Sequence, residues 1–285
     1  MQKIEITAHA KINLTLDVTG RLPNGYHTVE MVMQSVGLSD RLTLAANGTD
    51  AIVLTCDRPG LSVGEDNLAV RAARLFCGEL ELVRGGVDIA LQKRIPTQAG
   101  MAGGSADAAA VLTGMNKLFG AGCTVDELCA LGVRLGADVP YCIRGGTMLA
   151  TGIGEVLSPL PSMPKCAVLI CKPPVGVPTP EVYKAIDRAP IAEHPRTREM
   201  IDALGAGDLR RIGALLCNVM EPVTAGKYPV IEEIRQVMLA HGALGARMSG
   251  SGSAVFGLYE RPEDAAEAHR LLAARFDEVF LTETV

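Results

Sequence analysis

The stretch Pro96-Thr97-Gln98-Ala99-Gly100-Met101-Ala102-Gly103-Gly104-Ser105-Ala106-Asp107-Ala108-Ala109 decides how this chain is read. Before it, Val87, Ile89 and Leu91 alternate as in a half-buried strand; after it, apolar residues at 108, 111, 112 and 115 keep a helical period. The loop is thus a strand-to-helix connection built almost wholly of small residues. Gly100, Gly103, Gly104 and the alanines beside them let a ligand come close to the backbone amides. The N–H groups that open the following helix and the positive end of its dipole point at the same place, which suits phosphate. Lys93 and Arg94 lie just upstream. The competing reading is a small-residue turn that lets strand and helix pack tightly.

Other phosphate-binding architectures are excluded by their missing signatures. No G-x-x-x-x-G-K-[ST] run occurs, nor a G-x-G-x-x-G fingerprint, nor the H-R-D and D-F-G runs of protein kinases.

At 285 residues, with 48% hydrophobic and 21% charged side chains, the chain suits one large or two ordinary globular domains. Its net charge of −5 argues against a general nucleic-acid or membrane-surface binder. Met1–Ala8 lacks the apolar core of a signal peptide, and no apolar run is long enough to span a bilayer. The cysteines at 56, 77, 123, 129, 142, 166, 171 and 217 form no C-x-x-C pair, so reduced, buried thiols in a cytoplasmic protein are expected. Trp is absent and aromatics are scarce, so Tyr26 and Tyr183 stand out.

Period-two patterns predict strands at Ile4/Ile6, Leu14–Val18, Val29–Met33 and Leu42/Leu44, with a Pro23-Asn24-Gly25 turn among them. A helix starts near Asn67, another spans about 105–119, and Thr124-x-x-Glu127 is a capping box for a third. Gly136 is expected to end that helix and Pro140 to prevent its resumption. Three prolines in Ser158–Pro164 mark a boundary between residues 1–158 and 165–285. Beyond it come a strand at 167–171, helices near 197–204, 208–217 and 229–240, strands flanking Ser249–Ser253, a helix from Pro262 and a strand at 279–281. The irregular alternation predicts an α+β fold.

Four further islands could carry chemistry: Ala10–Leu14, Asn24–His27, Leu135–Pro140 and Ser249–Ser253. Each has a plain alternative. Lys11 on an edge strand could be a solvated charge, Asp138 a turn residue and His27 a partner for local backbone. The Ser/Gly run could be a mobile surface loop.

Taken together, A-K-I-N-L, G-R-L-P-N-G-Y-H-T, K-R-I-P-x-x-A-G-M-A-G-G-S, L-G-A-D-V-P and P-T-P-E-V-Y, in that order, make the chain similar to the GHMP kinases. That superfamily includes galactokinase, homoserine kinase and mevalonate kinase. The Gly-Tyr-His-Thr and Gly-Ala-Asp-Val-Pro runs resemble the branch whose substrate is a cytidyl diphosphate sugar-alcohol. The resemblance implies a ribosomal-protein-S5-like N-terminal ATP-binding domain and a ferredoxin-like C-terminal domain. It implies transfer of the γ-phosphoryl of ATP, accompanied by Mg²⁺ without a protein metal cage, to an alcohol. Catalysis of that kind asks mainly for alignment and charge stabilisation. Lys11 and Asp138 would be catalytic, Asp138 taking the hydroxyl proton and Lys11 sitting beside it. ATP would meet Asn67 at its adenine and Pro96, Gln98, Ala99, Gly100, Met101, Ala102, Gly103, Gly104 and Ser105 at its phosphates. Asn13, Tyr26, His27, Thr179 and Tyr183 would hold the second substrate, the aromatic residues gripping the cytosine. A monomer or weak homodimer without nucleic-acid or membrane partners is expected.

The chain departs from the superfamily pattern at Ala106, where a second serine is common, and Gln98, Ala99 and Ala102 replace glycines found in many relatives. Rival readings are another GHMP enzyme of mevalonate, homoserine or diphosphomevalonate type, and a silent ATP-binding sensor. Tyr26-His27 argues against the first, intact Lys11 and Asp138 against the second.

Overall fold

The computed structural model describes residues 2–188 and 191–285. In chain order its elements are β1 (Lys3–Arg21), β2 (His27–Ala46), β3 (Ile52–Cys56), α1 (Leu68–Glu79), β4 (Val87–Gln92), α2 (Gly103–Leu118), α3 (Val125–Val133) and α4 (Val139–Arg144). There follow β5 (Thr147–Thr151), β6 (Val156–Pro159), β7 (Ala167–Lys172), α5 (Thr179–Ile186), α6 (Thr197–Ala206), α7 (Leu209–Ala214) and β8 (Cys217–Asn218). The chain ends with α8 (Glu221–Lys227), α9 (Val230–Ala240), β9 (Gly245–Met248), β10 (Val255–Tyr259), a 3₁₀ turn at Pro262–Ala265, α10 (Ala266–Ala273) and β11 (Glu278–Glu283).

The chain forms two compact units. One comprises Met1–Ala10, Ser39–Ile95 and Ala102–Gly145; the other comprises Lys11–Leu38, Pro96–Met101 and Gly146–Val285. They therefore interleave along the chain, whereas the proline-rich segment suggested consecutive blocks. The strands expected at Ile4/Ile6 and Leu14–Val18 are one 19-residue strand, β1, and those at Val29–Met33 and Leu42/Leu44 are one 20-residue strand, β2. Ala10 to Val18 are all buried although apolar and polar residues alternate there, so both faces of β1 are covered and Lys11, Asn13, Thr15 and Asp17 form a buried polar face.

In the first unit β3 pairs in parallel with β4, and β4 runs antiparallel to the Arg41–Ala46 end of β2. Helix α2 is mostly Ala, and Gly114 lets it come close to the sheet: a Cβ there would lie 3.0 Å from Leu44 Cδ2 and 3.4 Å from Ile6 Cγ1. Asn67 caps α1 by accepting from Ala69 N–H at 2.9 Å. Thr124 and Glu127 form the capping box expected of α3. Pro140 does not stop a helix; it sits in the first turn of α4, where a missing N–H removes no intrahelical bond.

In the second unit β8 pairs in parallel with β1 at Thr15 and Leu16, β5 pairs with Met31–Gln34 of β2, and β6 pairs with β5. A separate antiparallel sheet has the order β11-β7-β10-β9. Met238 of α9 and Leu272 of α10 are fully buried, and Tyr259 Oη donates to the Met238 carbonyl at 3.3 Å. Burying side chains of this size is worth about 1.5–3 kcal/mol each. Helices α5 and α8 and strands β3, β5, β6 and β8 were not foreseen; each is short, and the helix expected near 208–217 stops at Ala214, leaving Cys217 to β8.

All eight cysteines are free, but only Cys166 and Cys171 are fully buried; the other six are half-buried, which corrects the expectation of buried thiols throughout. Burial pushes the Cys166 thiol up to about 11 and that of Cys171 to about 12. Among the described residues no helix is long and apolar enough to cross a membrane.

Candidate active site

Lys11 is 4% exposed, which rules out a solvated charge. In the second unit its Nζ donates to Asn13 Oδ1 at 2.6 Å and to the Gly100 carbonyl at 2.7 Å, while its backbone N–H reaches the Met101 carbonyl at 3.3 Å. Asn13 is fully buried, and its Nδ2 points at Met31 Sδ, 3.4 Å away. This asparagine orients the ammonium.

The segment Pro96–Met101 is pressed backbone to backbone against the Ser/Gly run. Ser249 Oγ donates to the Gly100 carbonyl at 3.0 Å, and Ala254 N–H donates to the Ala99 carbonyl at 3.2 Å. A Cβ on Gly100 would stand 2.0 Å from the Ser249 carbonyl oxygen, and one on Gly250 2.9 Å from the Gly100 carbonyl oxygen. Gly100 is a glycine here because another loop touches it, a packing demand that sequence could not separate from ligand access. Asn218 Nδ2 donates to the Met248 and Gly250 carbonyls at 2.7 and 2.8 Å, and Glu221 accepts from Met248 N–H at 2.6 Å. Ser249, Ser251 and Ser253 are all buried, so the run is a braced loop and not a mobile one.

Backbone geometry around the loop is unusual. Gln98, Gly100 and Ala102 have φ of +52°, +71° and +57°. Left-handed residues are among the building blocks of anion-binding nests, in which they alternate with right-handed ones. Ala102 opens α2 without a side-chain acceptor, which leaves the first-turn N–H groups from Gly103 to Ser105 for a ligand or water. Side chains of Pro96, Ala99 and Met101 are buried, whereas Gln98 and Gly104 are exposed.

In the first unit a Cβ on Gly103 would meet Ile95 Cγ2 at 3.0 Å and Lys93 Nζ at 3.2 Å. Lys93 is buried between Asp40 and Asp107. Asp138 precedes α4 as its N-cap residue, half-buried, with no cap bond from its side chain. A Cβ on Gly136 would lie 4.0 Å from Ser105 Oγ, so the turn leading to Asp138 neighbours the start of α2.

The aromatic residues gather in the second unit. Gly25, at φ +88°, makes the turn into β2, and Tyr26 after it is 60% exposed. His27 does not serve local backbone: its ring stacks on Tyr183 with centroids 4.6 Å apart and planes 14° from parallel. Its Nε2 lies 2.7 Å from Asp187 Oδ1, and Arg21 reaches Asp187 Oδ2 at 3.2 Å. Thr179 Oγ1, at the start of α5, is 2.8 Å from Ser251 Oγ.

Family models of the GHMP kinases N terminal domain and the GHMP kinases C terminal match residues 67–146 and 200–278. Over 286 residues the chain is 45% identical to 4-diphosphocytidyl-2-C-methyl-D-erythritol kinase of Lachnospira eligens, spanning 100% of this chain and 99% of that one. The chain belongs to the GHMP kinases. A second GHMP kinase of the same name, from Acetivibrio thermocellus, is 44% identical and is covered in full. The crystal structure of a 4-(cytidine 5'-diphospho)-2C-methyl-D-erythritol kinase superposes with a TM-score of 0.84 at 36% identity, 99% of each chain being covered. Homoserine kinase from Cytophaga hutchinsonii shares the fold, with a TM-score of 0.78 at 20% identity.

Within this GHMP kinase, Lys11 is buried against Gly100, Asn67 caps α1, Asp138 precedes α4, and His27 stacks on Tyr183 beside Tyr26. The sequence patterns single out neither Asn218 and Glu221, which brace the Ser/Gly run, nor Asp187 and Arg21, which pair beside His27. Asp187 carried one signal, its place four residues after Tyr183 on the same helical face.

Proposed function

We propose that the chain transfers the γ-phosphoryl of ATP to the 2-hydroxyl of 4-diphosphocytidyl-2-C-methyl-D-erythritol, giving the 2-phosphate and ADP, a step in isoprenoid precursor synthesis. The observation that carries this reading is full-length identity of 41–46% to relatives of that name. The stacked His27–Tyr183 pair beside exposed Tyr26 supports it, since a nucleobase needs flat apolar faces and a polar edge.

The roles follow the chemistry of each group. Amides of Pro96–Ser105 and the dipole of α2 receive the phosphates; Asn67 lies toward the adenine. Mg²⁺ arrives with ATP, held by phosphates and water. Asp138 accepts the hydroxyl proton, and Lys11 offsets charge developing on the alcohol. Asn13 and Thr179 serve the diphosphate and sugar-alcohol, and Tyr26, His27 and Tyr183 the cytosine. Residues 1–158 thus supply the ATP loop and catalytic groups, and residues 165–285 complete the substrate site in a cytoplasmic enzyme.

The test is ADP release from Mg-ATP with the cytidyl substrate, mevalonate and homoserine offered separately. Turnover with the cytidyl substrate alone is the expected result. Turnover with either other alcohol would overturn the substrate assignment while leaving a kinase.

A further inference from the structure

The hydrogen-bonding capacity of His27 is already half spent. One ring face lies on Tyr183, and Nε2 is 2.7 Å from Asp187 Oδ1. Among the described residues Nδ1 has no hydrogen-bond partner. Tyr183 and Asp187 come from successive turns of one helix end, where Asp187 caps α5 and its N–H donates to the Tyr183 carbonyl at 3.0 Å. The imidazole is therefore fixed twice by α5: the tyrosine sets its plane, the carboxylate its rotation within that plane.

The carboxylate also decides where the proton is. An ionised carboxylate only accepts, so Nε2 must carry hydrogen; a neutral imidazole has a single N–H, which leaves Nδ1 as an acceptor. The His27 hydrogen bond, assisted by charge on Arg21 and Arg188, holds the Asp187 carboxyl below the usual carboxylate range. Arg21 takes Oδ2, so Oδ1 remains for His27.

We propose that Asp187 is a positioning residue: it fixes His27 with the proton on Nε2, so that Nδ1 presents an acceptor and favours a nucleobase edge that donates, such as an amino group, over one carrying a carbonyl. This selectivity rests on the nucleobase reading given above; the tautomer does not. Cytosine and uracil differ at that edge in the required sense, an amino group against an oxo group.

The experiment compares wild type with Asp187→Ala and Asp187→Glu. Long-range proton–nitrogen correlation spectra of protein labelled with ¹⁵N-histidine, at about pH 8 where an ordinary imidazole is neutral, report which ring nitrogen is protonated. Titration with cytidine and uridine diphosphates reports selectivity, and steady-state rates report KM for the cytidyl substrate and for ATP. Wild type is expected to show His27 protonated on Nε2. Asp187→Ala should show a tautomer mixture, a cytidine-to-uridine affinity ratio about tenfold lower, and a cytidyl-substrate KM raised about tenfold, with kcat and the KM of ATP little changed. Asp187→Glu should recover part of each effect. Since Asp187 lies on the surface, thermal unfolding of both variants should match wild type. An unchanged His27 spectrum in Asp187→Ala would overturn the proposal, as would an unchanged affinity ratio in an enzyme that uses the cytidyl substrate. A changed spectrum in a protein that binds neither diphosphate would uphold the positioning and overturn the nucleobase reading.

Discussion

Lys93 Nζ lies 2.7 Å from Asp107 Oδ2, with both side chains at 5% exposure or less. Asp40 takes a second bond from the same ammonium and also accepts from the N–H groups of Arg94 at 2.5 Å and Ile95 at 2.8 Å. Asp40 thus accepts from three donors. Asp107 takes its bond from Lys93, and among the described residues its Oδ1 is buried without a partner. Burial outweighs the lysine and pushes Asp107 up to about 8.

Stability should therefore depend on pH in an unusual direction. Between the unfolded value near 3.9 and the folded value of about 8, the folded state holds a proton that the unfolded state has lost. Its contribution is fully present below about pH 4 and declines by up to about 1.4 kcal/mol per unit until pH reaches about 8. Asp107→Asn, which cannot ionise, should lack that slope. Unfolding midpoints of both proteins across this range test the point; parallel curves would mean that Asp107 is ionised in the fold.

Gly100→Ala should be far more harmful than a typical glycine replacement. The alanine must hold φ +71° and place its methyl 2.0 Å from the Ser249 carbonyl oxygen. Left-handed strain costs about 1–2 kcal/mol, and overpacking a further 1–3 kcal/mol. Gly120→Ala is the control, since Gly120 has φ +61° and nothing within 4 Å of an added Cβ. Denaturant unfolding should give the first a loss at least about 1 kcal/mol greater than the second.

Asp138→Asn should retain both substrates and lose about 10²–10⁴-fold in kcat. The side chain makes no cap bond to α4, so the helix loses nothing by the change. Near-normal turnover would remove Asp138 from the proton-accepting role.

Tyr26→Ala tests the nucleobase site from its open side. At 60% exposure the ring contributes little to the core, so thermal stability should hold. Loss of one stacking face should raise the KM of the cytidyl substrate by about ten- to a hundredfold and spare ATP. Equal effects on both substrates would mean that the tyrosine serves neither base in particular.

Features encoded within a few residues were readable from sequence. The helix start near Asn67, the Thr124–Glu127 capping box and the turn through Gly25 each involve neighbours along the chain, and each formed as expected. In β1 the alternation runs unbroken from Ile4 to Val18, but it does not announce that the polar face from Lys11 to Asp17 is covered as well. Pro140 was misjudged, since a proline that opens a helix and one that ends it look alike without knowing where the turn begins.

Site residues divide along the same line. Composition marked the glycine loop, while the reason for Gly100 lay in Ser249, 149 positions away. The burial of Lys11 and the tie between His27 and Asp187, 160 positions apart, depend on long-range packing that no local pattern announces.

The interleaved units bear on how the protein can be cut and made. A break in the proline-rich segment looks natural for producing two fragments, yet it would part Lys11–Leu38 and Pro96–Met101 from the unit they complete with Gly146–Val285. The N-terminal fragment would hold the first unit whole but also the stranded parts of the second, and the C-terminal fragment would lack part of its core. During synthesis, too, the early strand residues Lys11–Leu38 must wait for Cys217–Asn218 and the sheet beyond it before their unit can close. Expression of either half alone should give aggregated or protease-sensitive chains, and recovery of activity should require both pieces refolded together.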